Sequence, residues 1–264
     1  MYEASMKSTM IILSYNVNGL RAAIAKGFLE WLASEAPDIL CIQETKMQDE
    51  QLEPRLFEPY GYTFFHHPAE KKGYSGVALL VRDKPDQLII GMGNETYDRE
   101  GRVIRADYGD ISLINVYIPS GTTGGSRQDF KMEFLSDFHD YIRELMATRE
   151  KLIVTGDFNI CHRAIDINHP ERHKKSSGFL PEERRWVDKF LSSGFLDSFR
   201  EFNSQHGQYS WWSYRAMSRQ KNLGWRIDYH MVSLPLRPQL KGSGILKDVN
   251  HSDHCPVMVE IDLN

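Results

Sequence analysis

Residues 151–162 read KLIVTGDFNICH: an apolar, partly β-branched run over 152–154 gives way to a compact polar group, Asp157 and Asn159. A run that short, bounded by turn-forming residues, fits a buried strand better than a helix. Runs of the same kind recur at 11–13, 39–42, 77–81, 111–118, 227–232 and 257–261. Helical spacing is clear in three stretches. Residues 21–35 place Ile24, Phe28, Trp31 and Leu32 on one face. Residues 127–148 carry Phe130, Phe134, Phe138, Tyr141 and Leu145 as a stripe, flanked by Leu135, Ile142 and Met146, with Ser126 and Asp129 spaced as a capping box. A third helix is expected after Pro181, burying Trp186, Val187, Phe190 and Leu191 and stopping at Gly194. Many strands and few helices disfavour a doubly wound parallel sheet. A two-sheet sandwich with flanking helices is the expectation.

The 264 residues carry no internal repeat or long Pro/Gly/Ser linker, and the apolar fraction of 41% suffices for a sizeable core. No apolar run approaches the roughly 20 residues of a membrane helix, and the first residues lack the pattern of a secretory signal. Membrane association is therefore not expected. Cys41, Cys161 and Cys255 cannot all pair and show no CxxC spacing, so we expect buried thiols and a cytoplasmic, reducing setting. The net charge of −4 excludes a generally polyanion-binding surface; nucleic-acid contact would need a local basic patch.

The strand ends carry the chemistry. The first run ends on Asn16 and Asn18, DILCIQE on Glu44, SLINVYIP on Tyr117, and KLIVTGDFN on Asp157 and Asn159. WRIDY carries Asp228, and the last strand is preceded by Asp253 and His254. Singly, an Asn or Asp after a strand is a turn former, and a lone Glu44 or Asp228 is a salt-bridge partner or a satisfied structural carboxylate. Together, six such ends on one rigid scaffold can converge on a cleft. Oxygen donors with one histidine suit Mg²⁺ or Mn²⁺ rather than zinc. His251 and His254 lie three apart with no second ligand pair nearby, and His251 reads as a solvated turn residue. A metal-bound phosphate attacked by water beside a carboxylate and a histidine is a phosphodiesterase arrangement.

Between His206 and Arg226 there is no acidic residue, while Arg215, Arg219, Lys221 and Arg226 alternate with Tyr209, Trp211, Trp212, Tyr214 and Trp225. Basic heads among aromatic faces suit a nucleic-acid backbone and an extruded nucleotide. Strand alternation from Tyr209 would instead place Trp212 in the core. Arg172, His173, Lys174 and Lys175 form a shorter basic cluster, and Lys71, Lys72 and Tyr74 a third; runs of that size are commonly solvated faces.

The segments SYNVNGLR, CIQETK, GYSGVALL, INVYIPSG, VTGDFNICH, IDIN with KKSSGFLPEERRW, WRIDY and SDHCPV follow one another over nearly the whole chain. In that order they resemble the exonuclease III/AP endonuclease family of the endonuclease–exonuclease–phosphatase superfamily. The resemblance implies a DNase I-like, four-layer α/β sandwich of two packed, mostly antiparallel sheets flanked by helices, over residues 10–264 as one domain behind a flexible extension of residues 1–9. It implies Mg²⁺-dependent cleavage 5′ to abasic sites in duplex DNA, action on blocked 3′ ends by 3′-exonuclease and 3′-phosphatase activities, and a monomer. Glu44 would be the main metal ligand, supported by Asn18 and Asp253. Asp157, oriented by Asn16, would activate water; Asn159, Tyr117 and His254 would hold the phosphate, with Asp228 behind His254. Tyr74, Arg102, Trp211, Arg215, Trp225, Lys174, Lys175 and Ser176 would contact DNA. The family places Asp at position 18 in some members, and Arg where this chain has Thr122 and Thr123. A regulator of the catabolite-repression control type, on the same fold with a decayed site, is the rival reading; the complete set of acidic residues speaks against it.

Overall fold

The computed structural model describes residues 9–53, 55–122 and 124–263. Residues 1–8 of the expected extension lie outside them, and Thr9 already opens the first strand. In chain order the strands are β1 (Thr9–Asn16), β2 (Ile39–Gln43), β3 (Thr63–His67), β4 (Val77–Val81), β5 (Gln87–Ile90), β6 (Val103–Tyr108) and β7 (Ile111–Tyr117). There follow β8 (Lys151–Asp157), β9 (Phe195–Asp197), β10 (Trp211–Trp212), β11 (Gly224–Trp225), β12 (Asp228–Ser233), β13 (Leu240–Ile245) and β14 (Val257–Asp262). Helices α1 (Leu20–Ile24), α2 (Phe28–Glu35), α3 (Glu95–Asp98), α4 (Gly125–Met146), α5 (Pro181–Ser192) and α6 (Ser198–Phe202) lie between them.

The strands form two six-stranded sheets, ordered β13-β14-β1-β2-β4-β3 and β5-β6-β7-β8-β12-β9, plus the small β10-β11 pair. Each large sheet is antiparallel except for one parallel pair, β1/β2 and β7/β8. Successive residues of the central strands face opposite layers. Ile12, Cys41 and Leu79 meet Leu113, Ile153 and Val232 between the sheets. Their neighbours Leu13, Leu40 and Leu80 pack under α1 and α2, while Ile114, Val154 and Met231 pack under α4 and α5. Both faces are buried, so these strands read as continuous apolar runs rather than alternating ones. The result is the expected four-layer sandwich.

All seven expected strands are present. The sequence reading missed β3, β5, β6, β9 and β13 of the two large sheets, which carry His, Gln, Arg, Asp or Gly among their apolar residues and include all four sheet edges. The expected helix over 21–35 is divided into α1 and α2 at Gly27, whose φ of 94° leaves the helical region. The stripe on α4 is buried through Phe134, Leu135, Phe138, Ile142 and Leu145. Its capping box is not made: the helix starts at Gly125, so Ser126 and Asp129 both sit inside it. α5 buries Trp186, Val187 and Phe190 as expected, with Leu191 packed beside them. Cys41, Cys161 and Cys255 are buried free thiols. No helix among the described residues is long and apolar enough to cross a membrane.

Gly156, between Thr155 and Asp157, carries the parallel β7/β8 pairing to the edge of the site. Its φ is +140°, and a Cβ there would lie 1.9 Å from the carbonyl oxygen of Val116 on β7. Gly156→Ala is expected to lower unfolding free energy by at least about 2 kcal/mol in urea titration. An unchanged midpoint would show that β7 and β8 can separate here at little cost.

Candidate active site

The two parallel pairs bring the C-terminal ends of β1, β2, β7 and β8 to one edge of the sandwich. β12 runs antiparallel to β8 with Asp228 opposite Asp157, so its first residue arrives at the same edge. β14 runs antiparallel to β1, which places the preceding Asp253 and His254 there as well. Strand direction therefore brings Asn16, Glu44, Asp253 and His254 to the edge of one sheet and Tyr117, Asp157, Asn159 and Asp228 to the edge of the other, and the packing of the sheets joins the two sets.

At the centre is Asn16, fully buried, whose Nδ2 donates to Glu44 Oε1 and to Asp157 Oδ2, both at 2.8 Å. Its Oδ1 accepts the Asn18 amide N–H at 3.0 Å. Asp157 Oδ1 accepts from the main-chain N–H of Asn159 at 2.8 Å, and the Asn159 side chain donates to the carbonyl of Ile118 at 2.9 Å. On the opposite side His254 Nδ1 lies 2.9 Å from Asp228 Oδ2, an oxygen that also accepts from Ser210 Oγ at 2.6 Å. His254 Nε2 is left facing Asp157 Oδ2 at 3.9 Å. Asn18, Glu44 and Asn159 hold φ values of 48°, 53° and 52°, a left-handed conformation uncommon for non-glycine residues and concentrated here at the strand ends.

The charges are uneven. Burial opposes ionisation of Glu44, but the Lys46 ammonium, 2.6 Å away, and the Asn16 amide hold its carboxyl below the ordinary value. Asp157 is raised, first by burial and then by the charges of Asp228 and Glu44, against the opposing pull of His254. Burial disfavours a charged imidazole at His254, yet the Asp228 carboxylate raises it to about 10. Burial raises the Tyr117 hydroxyl well above its ordinary value, and Glu44 adds to that, so it remains a donor.

Glu44, Asp157 and His254 each offer a ligand atom within 4.8 Å of the others, a grouping that could hold a metal ion. Carboxylates with an amide beside them fit a hard divalent cation. The Asn18 amide is already engaged: Nδ2 donates to Asp253 Oδ1 at 2.9 Å and Oδ1 accepts from Lys46. The other Asp253 oxygen accepts from Trp211 Nε1 at 2.9 Å.

These groups line a cleft of about 730 Å³ whose far wall holds Trp211, Trp225, Lys175 and Ser176. The two indoles meet edge to face at 5.9 Å. Lys174 and Arg215 are exposed, and Thr122 lines the same cleft while Thr123 lies outside the described residues. Arg102 is buried, and its guanidinium bonds to the Tyr117 carbonyl, Glu100 and the Tyr74 hydroxyl, so it can reach DNA only through Tyr74. Two basic residues of the aromatic loop are likewise committed to internal partners, Arg226 buried and Arg219 half-buried. Arg226 is paired with Asp166 and Asp197, and Arg219 stacks on Trp212 and bonds to the carbonyls of Ser252, Lys247 and Val249. Trp212 is core as expected, but it is buried together with Tyr209 and Cys255 rather than by strand alternation, since only Trp211–Trp212 form a strand.

His251 is buried rather than solvated, 5.8 to 6.2 Å from the rings of Tyr15, Phe28 and Trp31. Ser210 and Lys46 escaped sequence reasoning, whereas His173, read there only as part of a basic cluster, stands 5.0 Å from Trp225. A lone Ser or His in a loop carries no pattern; Lys46 follows Glu44 in CIQETK and could have been read as its counter-charge.

His254 has a folded pKa above the unfolded value of about 6.5, so its pairing with Asp228 stabilises fully below that value and is lost as pH rises through about 10. In Asp228→Asn the imidazole is expected to titrate near or below its ordinary value, read by NMR in EDTA. A titration still near 10 would assign the shift to Asp157 and Asp253 instead.

Residues 13–254 match the Endonuclease/Exonuclease/phosphatase family. The chain is 42% identical over 256 residues to the exodeoxyribonuclease of Bacillus subtilis, covering 96% of this chain and all of the relative. It is 40% identical over 262 residues to a DNA-(apurinic or apyrimidinic site) endonuclease of Dictyostelium discoideum, covering 98% and 72%. Among solved structures, the 3′ phosphatase NExo from Neisseria, bound to a product DNA hairpin, superposes with a TM-score of 0.89 at 29% identity, covering 96% of this chain and 99% of that one. A shared sandwich, the same extent of chain and an intact acidic strand-end site lead to one conclusion: this chain belongs to the endonuclease/exonuclease/phosphatase family.

Proposed function

We propose that the chain is a Mg²⁺-dependent DNA repair nuclease that hydrolyses the phosphodiester 5′ to abasic sites in duplex DNA and also acts on 3′ ends as exonuclease and phosphatase. The observation that carries this reading is the Asn16 amide holding Glu44 and Asp157 together, opposite a charged His254, in a cleft walled by two indoles. The named activities of the relatives support it.

Asp157, raised by burial, accepts the proton of a water molecule that Asn16 and Asn159 help to orient, and the water oxygen forms the new bond to phosphorus. The bond to the 3′ oxygen breaks, its electron pair leaves with that oxygen, and solvent water protonates it to the 3′ hydroxyl. Tyr117, the Asn159 amide and His254 present N–H and O–H donors to the phosphate oxygens as negative charge gathers there. Mg²⁺ held by Glu44, with Asn18 and Asp253 alongside, would neutralise that charge. Trp211 and Trp225 flank a base-free sugar, and exposed Lys174, Lys175 and Arg215, with half-buried Ser176 and Tyr74, grip the backbone. This local positive rim answers the net charge of −4.

The decisive assay offers abasic duplex, a recessed 3′ end and single-stranded RNA with Mg²⁺ or EDTA. Metal-dependent incision of the first is expected; its absence would sink the reading. Glu44→Gln and Asp157→Asn should each lower that rate at least about 100-fold with an unchanged circular dichroism spectrum. Near-normal turnover by Asp157→Asn would remove it from the water-activating role. Trp225→Ala should weaken binding to abasic duplex more than to intact duplex, by anisotropy; equal losses would count against a sugar pocket.

A further inference from the structure

The most deeply buried ion pair of the α layer has no part in the chemistry above, yet it touches both halves of the cleft. Lys131 on α4 and Glu183 in the first turn of α5 are each fully buried, with Nζ and Oε1 2.6 Å apart. Lys131 Nζ also donates to the main-chain oxygen of Asn159 at 2.8 Å. Glu183 Oε1 accepts further from Gln128 Nε2 at 3.1 Å and Ser177 Oγ at 3.3 Å. Its Oε2 accepts from the main-chain N–H groups of Gly178 at 2.7 Å and Leu180 at 2.9 Å.

Joining two helices does not require this arrangement. Desolvating two such ions costs several kcal/mol each, and apolar residues of the same volume commonly pack helices as well or better. What apolar residues could not do is hold the 177–180 loop by its N–H groups while fixing the carbonyl of Asn159. Gly178 is the wall of the cleft behind Trp225. Its φ is +92°, and a Cβ there would lie 2.8 Å from the Trp225 ring and 3.1 Å from the Asn159 oxygen. On its other side the Gly178 carbonyl accepts from the Cys161 N–H at 2.7 Å. Lys131 thus fixes the phosphate side, Glu183 fixes the sugar side, and 2.6 Å separates their charged atoms.

We propose that Lys131 and Glu183 are positioning residues that set the spacing between Asn159 and the Gly178–Trp225 wall, and thereby select a sugar without a base for the cleft. This deepens the nuclease reading and rests on it. The N–H and side chain of Asn159 keep their own bonds to Asp157 and the Ile118 carbonyl, so loss of the pair should appear in substrate recognition rather than in the chemical step.

The test compares the full chain with Glu183→Gln and with the double variant Lys131→Leu/Glu183→Leu. In Glu183→Gln a single carbonyl oxygen replaces two acceptors, so Lys131 or the loop N–H groups lose their partner. The double variant removes both charges, and so keeps the α4–α5 packing without an unpaired ion. On abasic duplex with Mg²⁺, both variants should raise KM about tenfold while kcat stays within about threefold, and KM for a recessed 3′ end should change far less. The double variant should keep the wild-type circular dichroism spectrum, though the Gly178 and Leu180 N–H groups lose their acceptor, and should not regain the wild-type KM. A wild-type KM in the double variant would reduce the pair to packing, and equal losses on both substrates would do the same. An active wild type with unaffected variants sinks this inference alone, whereas a wild type inactive on abasic duplex sinks the functional reading with it.

Discussion

The side chain of Asn16 is the joint on which the site depends. One NH₂ group, buried at the end of β1, donates to a carboxylate from each sheet, Glu44 beyond β2 and Asp157 at the end of β8. Two buried carboxylates repel strongly at such separations, and a neutral double donor lets them share a site without adding charge. One residue inward, Gln43 donates to Asn115 at 2.7 Å, and Asn115 donates to the carbonyls of Ile42 and Ala78. The sheets are thus latched by amides just below the cleft, while elsewhere in the layer apolar packing joins them, with His67 bonded to the Val103 carbonyl and His230 to the Val257 carbonyl. Packing is non-directional; the amides fix which strand ends meet.

Buried charge around this joint serves geometry more than affinity. Arg226, Arg102, Lys131 and Arg219 all belong to segments that a charge count assigns to the surface, yet each is committed to internal carboxylates, carbonyls or hydroxyls. Desolvation of these cations is offset only because nearly every donor finds an acceptor. The loops they hold carry Trp211, Trp225 and the 173–180 segment, so the cleft wall is as well braced as the strand ends opposite it. In the segments around the cleft, Lys174, Lys175, Arg215 and Lys221 stay exposed.

Short apolar runs identified the longer strands buried on both faces, β2, β4, β7, β8 and β12, because that environment demands apolar residues at most positions. Strands at the margins, such as β5 and β13, escaped because exposure relaxes the demand and admits Gln, Lys and Gly. His251 was misread for the converse reason: a polar residue type in a polar stretch gives no sign that Tyr15, Phe28 and Trp31, distant in sequence, enclose it. The capping box of α4 failed because position in the helix decides capping, and the helix began earlier than the pattern implied.

The amino-acid sequence by itself determined the layers of this protein and the chemical type of its site. Periodicity reports which faces are apolar, and polar residues stopping apolar runs report where strands end. It could not say which strand ends meet, since that follows from two parallel pairings in otherwise antiparallel sheets, nor which Arg and Lys face water. Those outcomes were decided by tertiary structure, through hydrogen bonds between residues 28 to 141 positions apart that act only once the sheets are packed.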